Sequence, residues 1–234
     1  DTEYEAGVEM GRFFAEKGIK TAAIYGAFIP NPMHVYRVAG VLSGLGLSYD
    51  GATEEGEVVG KIFTDQSVDL SKISGDIQIV SYLQGYGDTT TDEINAAIQA
   101  KPEAFISVGM ATTFFTQQLN AAGIEFSDID SFTQSNGEAI TNGKLVYLAG
   151  KYSSSVGPAF ALVLNAINGN VIRDEQGNAV SLSQNYQVAT DEATFDEFYK
   201  SDNGDNPIYN KETLDQIIGE SVTFDEINEL VTSK

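Results

Sequence analysis

The chain contains no cysteine and a single histidine, His34. Without thiols there is no disulfide framework, no cysteine nucleophile and no cysteine zinc site, and one imidazole excludes HExxH and any multi-histidine metal cluster. Basic residues are also scarce: 13 Lys and Arg stand against 34 Asp and Glu, a formal net charge of −21 over 234 residues. Nucleic acid and anionic membrane surfaces are recognised through clustered Lys and Arg, which this composition can scarcely supply. No apolar run approaches the ~20 residues of a membrane span. The opening DTEYEAGVEMG has neither the basic n-region nor the apolar h-region of an export signal, so any such signal is expected to have been removed. What is present is a folding composition, 42% hydrophobic and 10% aromatic, in a length that suits one large domain or two small ones.

Short apolar runs alternate with amphipathic ones. Ala6, Met10, Phe13 and Phe14 share a helical face that Gly18 ends, and Thr21 to Tyr25 reads as a strand. Pro30, Asn31 and Pro32 break the chain before a second helix marked by Val35, Val38, Ala39 and Leu42. Residues 50–74 are Gly-rich and weakly patterned; they read as an insertion or edge hairpin holding one strand, Val58 to Phe63. Strands are predicted at Ile77 to Leu83, Ala104 to Val108, Ile129 to Phe132 and Leu145 to Ala149. Helices are predicted from Asp92 to before Pro102 and from Ala111 to Gly123. A further helix carries Val156, Phe160, Val163, Leu164 and Ile167, followed by a hairpin over residues 171–182. From Ser181 onward there are 12 acidic and 3 basic residues, yet Phe195, Phe198, Ile217, Phe224 and Ile227 give that segment apolar faces; packed helix is expected. This alternation predicts an α/β fold, an open parallel sheet flanked by helices on both faces, with an acidic helical C-terminal tail.

In such a sheet ligands sit outside the carboxyl ends of the strands. The residues there are Phe28, His34 and Arg37 after the first strand, then Gln84 and Tyr86, then Gly109 and Met110, then Thr133 and Gln134, and last Lys151. Aromatic walls mixed with amides and isolated cations suit a polar small molecule better than a catalytic apparatus. Arg37 is read either as a clamp using its fork of donors or as an arginine paired with an acidic neighbour. His34 and Lys151 carry the same two readings, contact with ligand or an ordinary polar residue. No G-x-S-x-G elbow, phosphate-binding loop or G-x-G-x-x-G spacing occurs, and no cofactor or metal is implied. Acid–base chemistry by Asp88, Asp92 and Glu93 is the enzymatic alternative, but helix capping explains those residues more simply.

The stretch EAGVEMGRFFAEKGIKTAAIYG, the R-x-x-G of Arg37 to Gly40, AFISVGMATTFFTQQLNAAGI and ITNGKLVYLAGKYSSSVGPAFALVLNAINGN together resemble the type I periplasmic-binding-protein superfamily, the sugar-type solute-binding proteins of ABC transporters. The resemblance covers about residues 1–170. It implies two α/β lobes that close on a solute. Residues 1–150 would form the C-terminal-type lobe, residues 151–185 would belong to an N-terminal lobe whose first part is missing here, and residues 186–234 form the acidic tail. It also implies an extracytoplasmic monomer that hands its solute to a membrane permease without covalent chemistry, or alternatively the effector domain of a LacI-type transcription regulator. Arg37 matches the family arginine that often holds ligand hydroxyls. The family's asparagine or aspartate after the AFISV-type strand is replaced by Gly109 and Met110, and its next sugar-gripping aspartate by Thr133 or Gln134. Lys151 stands where a glutamine is frequent, which points to an anionic or less hydroxylated solute.

Overall fold

The computed structural model describes residues 2–233. In chain order the elements are α1 (Thr2–Glu16), β1 (Thr21–Tyr25), α2 (Pro32–Gly44), β2 (Ser48–Tyr49), α3 (Glu55–Asp65), β3 (Ile73–Ser74), β4 (Gln78–Leu83), α4 (Thr90–Gln99) and β5 (Ala104–Ser107). They continue with α5 (Ala111–Phe114), α6 (Thr116–Ala122), β6 (Glu125–Ile129), α7 (Gln134–Asn142), β7 (Leu145–Gly150), α8 (Val156–Ile167), β8 (Gln187–Ala189), α9 (Glu192–Asn203), α10 (Lys211–Asp215) and α11 (Phe224–Thr232).

Six strands form one sheet in the order β4-β1-β5-β6-β7-β8. The first five are parallel and β8 runs antiparallel on the β7 edge. Strands such as TAAIY and AFIS are buried along nearly their whole length, as expected where helices cover both faces of a parallel sheet. From β1 the chain moves outward through α2 to β4, then returns through α4 to β5 on the other side of β1. The direction of travel therefore reverses between β1 and β5, and the carboxyl ends of those two strands flank the switch point.

Helices α1 and α2 pack along glycines spaced one turn apart on each. A Cβ built at Gly7 would lie 2.1 Å from the Arg37 carbonyl oxygen and one at Gly11 2.4 Å from that of Val41. Reciprocally, Cβ atoms at Gly40 and Gly44 would lie 2.1 and 2.2 Å from the carbonyl oxygens of Tyr4 and Val8. The two backbones thus touch directly, and this contact places Arg37 and His34 of α2.

Several elements differ from the sequence reading. The strand predicted over Val58 to Phe63 lies inside α3, where Val58, Val59 and Ile62 are the buried face. β-Branched residues suggested a strand, but their i, i+1, i+4 spacing is helical. The rest of residues 50–74 supplies the short antiparallel β2–β3 pair, separate from the main sheet. The helix predicted from Ala111 to Gly123 is broken at Phe115, whose φ is −127°. The strand predicted at Ile129 to Phe132 ends at Ile129 and begins at Glu125. The predicted hairpin at 171–182 amounts to a turn with a single bridge, Arg173 to Ala179. Strand β8 has no counterpart in the sequence reading.

Most of the buried apolar residues form one cluster around the large sheet, which also takes in Ala189 and Phe195. A second, smaller cluster joins Ala161 of α8 to Ile217, Ile227 and Val231. The predicted apolar stripe of α8 does not face it. The buried face is Gly157, Pro158, Ala161 and Asn165, while Val156, Phe160, Val163 and Ile167 are each more than half exposed. A helix apolar on all sides within an uncharged stretch, residues 152–172, has the composition of one covered from both sides. Among the described residues no helix is long and apolar enough to cross a membrane.

Candidate ligand-binding site

The turn after β1 leads into α2 through Asn31, whose side chain accepts the Met33 N–H, with Pro32 in the first helical turn. This start sets His34 and Arg37 one turn apart, both only 6% exposed. Nδ1 of His34 accepts the Phe28 N–H at 3.0 Å. Burial pushes the imidazole pKa down, with nearby Arg37 adding to the effect against Glu3, and the hydrogen bond that Nδ1 accepts also favours the neutral ring. At neutral pH the ring is therefore uncharged, and because Nδ1 is an acceptor the proton sits on Nε2.

Arg37 reaches across the switch point. Its Nη1 donates to the Val108 carbonyl oxygen at 2.9 Å, directly beyond β5. Its Nε donates to Glu3 Oε2 at 2.7 Å and its Nη2 to the Tyr186 hydroxyl oxygen at 2.6 Å. The Tyr186 hydroxyl in turn donates to Glu3 Oε2 at 2.7 Å. Lys151 lies 3.3 Å from Glu3 Oε1 and 4.4 Å from the centre of the Tyr186 ring. One carboxylate from α1 thus gathers two cations and a phenol from segments far apart in the chain.

Burial alone would raise the Glu3 pKa, but Tyr186, Arg37 and Lys151 outweigh it and hold the carboxyl below its ordinary value of 4.5. A depressed folded-state pKa contributes stability that is present above the unfolded value and lost as pH falls through the folded one. The stability gap between the wild type and Glu3→Gln, measured by urea unfolding, is therefore expected to be full at pH 7 and to close as the pH drops below about 4.5. A gap independent of pH would show that the Glu3 charge is not what holds the cluster.

Gly109 forms the floor beside these groups. A Cβ built on it would lie at ordinary contact distance, 3.5 Å from Arg37 Nη1 and 3.9 Å from His34 Nε2, so two nitrogen donors converge on the backbone of this buried glycine. Met110 follows in the left-handed conformation with φ 68°, and Met110 and Phe28 are among the exposed large apolar side chains. On the β4 side, Tyr86 stacks on Phe114 with ring centres 4.1 Å apart. Gln84 Nε2 donates to the Gln66 carbonyl oxygen at 3.2 Å, while its buried Oε1 has no protein partner.

Arg37, His34, Phe28 and Met110 are thus drawn together at the switch point, with Gln84 and Tyr86 on the flanking β4 end. Lys151 joins through Glu3. Gln134 is elsewhere: it lines a groove of about 390 Å³ between α7 and α9 with Gly137, Glu138, Phe195 and Tyr199. Because β6 ends at Ile129, the first residue beyond that strand is Asp130, not Thr133 or Gln134. Thr133 instead caps α7, accepting the Asn136 N–H. An aspartate therefore does follow this strand, contrary to the substitution read from the sequence. The half-buried Asp130 accepts the Ser131 N–H at 2.7 Å and lies 3.3 Å from Thr112 Oγ1.

Beneath it, Asp128 is completely buried. It accepts the Thr112 N–H and hydroxyl, both at 2.7 Å, the Ser107 hydroxyl at 3.1 Å and the Ile129 N–H at 3.0 Å. It thereby ties β6 to the β5–α5 turn that carries Gly109 and Met110. In the sequence alone the Asp128, Asp130 pair lacks the spacing of a calcium loop and reads as turn or cap residues, and nothing marks Glu3 or Tyr186. The available signal for the aspartate pair was the alternation of polar Asp128 and Asp130 around Ile129.

No protein-family model matches the sequence and no curated protein matches it. Solved structures do. A periplasmic solute-binding protein of an ABC transporter from Actinobacillus succinogenes 130z, with bound D-allose, superposes with a TM-score of 0.53 at 15% identity, covering 84% of this chain and 61% of that one. The periplasmic binding component of the arabinose ABC transporter from Shewanella sp. ANA-3, bound to L-arabinofuranose, gives 0.55 at 16% identity, with 86% and 61% covered. A complex of the TorS sensor domain with TorT gives 0.56 at 12% identity, with 86% and 60% covered. The chain therefore spans about three fifths of the length of these structures. At such identities what is shared is architecture: the chain has the fold of the type I periplasmic binding proteins.

Proposed function

We propose that this chain is the greater part of an extracytoplasmic solute-binding component of an ABC transporter, gripping a small polar molecule at the β1/β5 switch point and delivering it to a membrane permease. The observation that carries the reading is the convergence of Arg37 Nη1 and His34 Nε2 over the side-chain-free Gly109, at the place where an open α/β sheet receives ligands. Phe28 and Met110 supply apolar walls, and Asp130 supplies a carboxylate acceptor. Binding rather than turnover fits a set of fixed donors in which the charge of Arg37 is already opposed by Glu3.

The pairing of Arg37 with Glu3 at 2.7 Å opposes the guanidinium charge at the switch point and favours a neutral hydroxylated solute there over an anion; Lys151 lies farther from that carboxylate, at 3.3 Å. The exposed apolar stripe of α8 supports assigning residues 151–185 to a further lobe whose sheet would cover it. That lobe would supply the other wall of the cleft, so binding by these 234 residues alone is expected to be weak.

The test is amide NMR of the 15N-labelled chain titrated with D-allose, L-arabinose and, as an anionic comparison, D-glucuronate at millimolar concentrations. Shifts at Phe28, Gly109, Met110 and Ser131 that are larger for the neutral sugars are expected. Shifts confined to other surfaces, or none at these strand ends with any of the three, would overturn the assignment of the site.

A further inference from the structure

We propose that Asp128, Thr112 and Asp130 form a proton-coupled unit, in which protonation of the buried Asp128 turns the Thr112 hydroxyl toward Asp130 and occupies the acceptor offered at the end of β6. The geometry is a contest for one proton. Thr112 Oγ1 lies 2.7 Å from Asp128 Oδ2 and 3.3 Å from Asp130 Oδ2, and a hydroxyl has a single hydrogen to donate. While both carboxylates are ionised, the nearer Asp128 takes it and Asp130 Oδ2 is left to other donors.

The surroundings of Asp128 make its charge costly. The titratable groups that face it are Tyr25 from β1, whose own ionisation Asp128 opposes and which is neutral at these pH values, and Asp130 just beyond β6, whose charge disfavours a second negative charge there. β5 and α5 present the hydroxyls and amide of Ser107 and Thr112, and β7 places Leu148 beside it in register. Among the described residues no Lys, Arg or His is hydrogen-bonded or ion-paired with it. Complete burial, with Asp130 adding to it against the Thr112 hydrogen bonds, pushes the Asp128 carboxyl up to about 6.

Below that pH Asp128 takes up one proton from solvent. Its new O–H donates to Thr112 Oγ1, the Thr112 hydrogen rotates onto Asp130 Oδ2, and no other bond changes. A fully buried group thereby controls a half-buried one through a single side-chain rotation. That this weakens solute binding in acid rests on the proposed function; the coupling itself does not.

The experiment is a 13C carboxyl NMR titration between pH 4 and 8 of the full chain, wild type, Thr112→Val, Thr112→Ser and Asp128→Asn. In the wild type, Asp128 is expected to titrate near pH 6, and the Asp130 resonance to show an inflection at that same midpoint. That inflection should shrink at least twofold in Thr112→Val, persist in Thr112→Ser and vanish in Asp128→Asn. An Asp130 resonance blind to the Asp128 midpoint would overturn the proposal. So would an inflection of full size in Thr112→Val, which would mean that charge alone carries the coupling. Should Thr112→Val fail to fold, Thr112→Ala takes its place: an inflection reduced at least twofold there supports the hydroxyl route, and one of full size overturns it. Sugar binding enters none of these readouts, so failure of the binding reading leaves them interpretable.

Discussion

Gly40→Ala is expected to destabilise the protein by at least ~1–3 kcal/mol, the usual cost of forcing added volume into a packed interface. The added methyl would have to occupy a point 2.1 Å from the Tyr4 carbonyl oxygen and 2.9 Å from the Val8 nitrogen. Both are backbone atoms of α1 and cannot rotate away as a side chain could. The helices must separate along a seam that also holds Gly7, Gly11 and Gly44, and separation withdraws Arg37 from Val108 and Glu3. Gly60→Ala supplies the contrast. Gly60 lies inside α3 with nothing near its missing Cβ, so alanine there should stabilise by about 0.5–1 kcal/mol through backbone entropy and helix propensity. Urea unfolding of the two variants beside the wild type checks both signs. Equal small effects would mean that the α1–α2 approach is not as close as described.

Arg37→Ala is expected to cost about 3 kcal/mol of folding stability, the lower end of the range for removing one partner of a buried ion pair. The Arg37 side chain is 7% exposed and that of Glu3 19%, so the orphaned carboxylate retains some access to water and the upper end of the range does not apply. The truncation also strips a donor from the Val108 carbonyl and from the Tyr186 hydroxyl. Arg37→Lys should recover only part of the loss, because an ammonium cannot send donors to Glu3, Val108 and Tyr186 in the three directions that the planar fork does. In the double variant Arg37→Ala, Glu3→Gln the losses should be less than additive, since each change removes the other's partner. Unfolding measurements at pH 7 on the four proteins close this cycle, and strict additivity would refute the pairing. A fall in solute binding in Arg37→Ala is informative only where the variant remains folded.

The fate of α8 shows where a sequence pattern stops being decisive. Val156, Phe160, Val163 and Ile167 recur at helical spacing and mark a face, yet Ala161 and Gly157 on the other side are the ones buried. Periodicity identifies a helix and an apolar stripe; when the remaining positions are also small or apolar, it does not say which side meets the core. The misplaced strand at Ile129 has a related cause. Glu125, Ser127 and Asp128 look too polar for a central strand, but Ser107 and Thr112 satisfy Asp128 within the protein. A buried carboxylate is legible only together with its donors, and those lie on another element.

By itself the sequence determined the alternation of buried strands and amphipathic helices, the start of α2 at Asn31 and Pro32, and the exclusion of thiol and multi-histidine chemistry from these residues. These follow from composition and from spacings of a few residues, which local sterics and burial turn directly into structure. Only the tertiary structure decided that Glu3 and Tyr186, 34 and 149 residues from Arg37, hold its guanidinium. It also decided that Asp130 rather than Gln134 follows β6, and that β8 returns to pair with β7. Each depends on which distant backbone segments come within hydrogen-bonding distance. That is set by the packing of whole helices and by strand order, which no local period encodes.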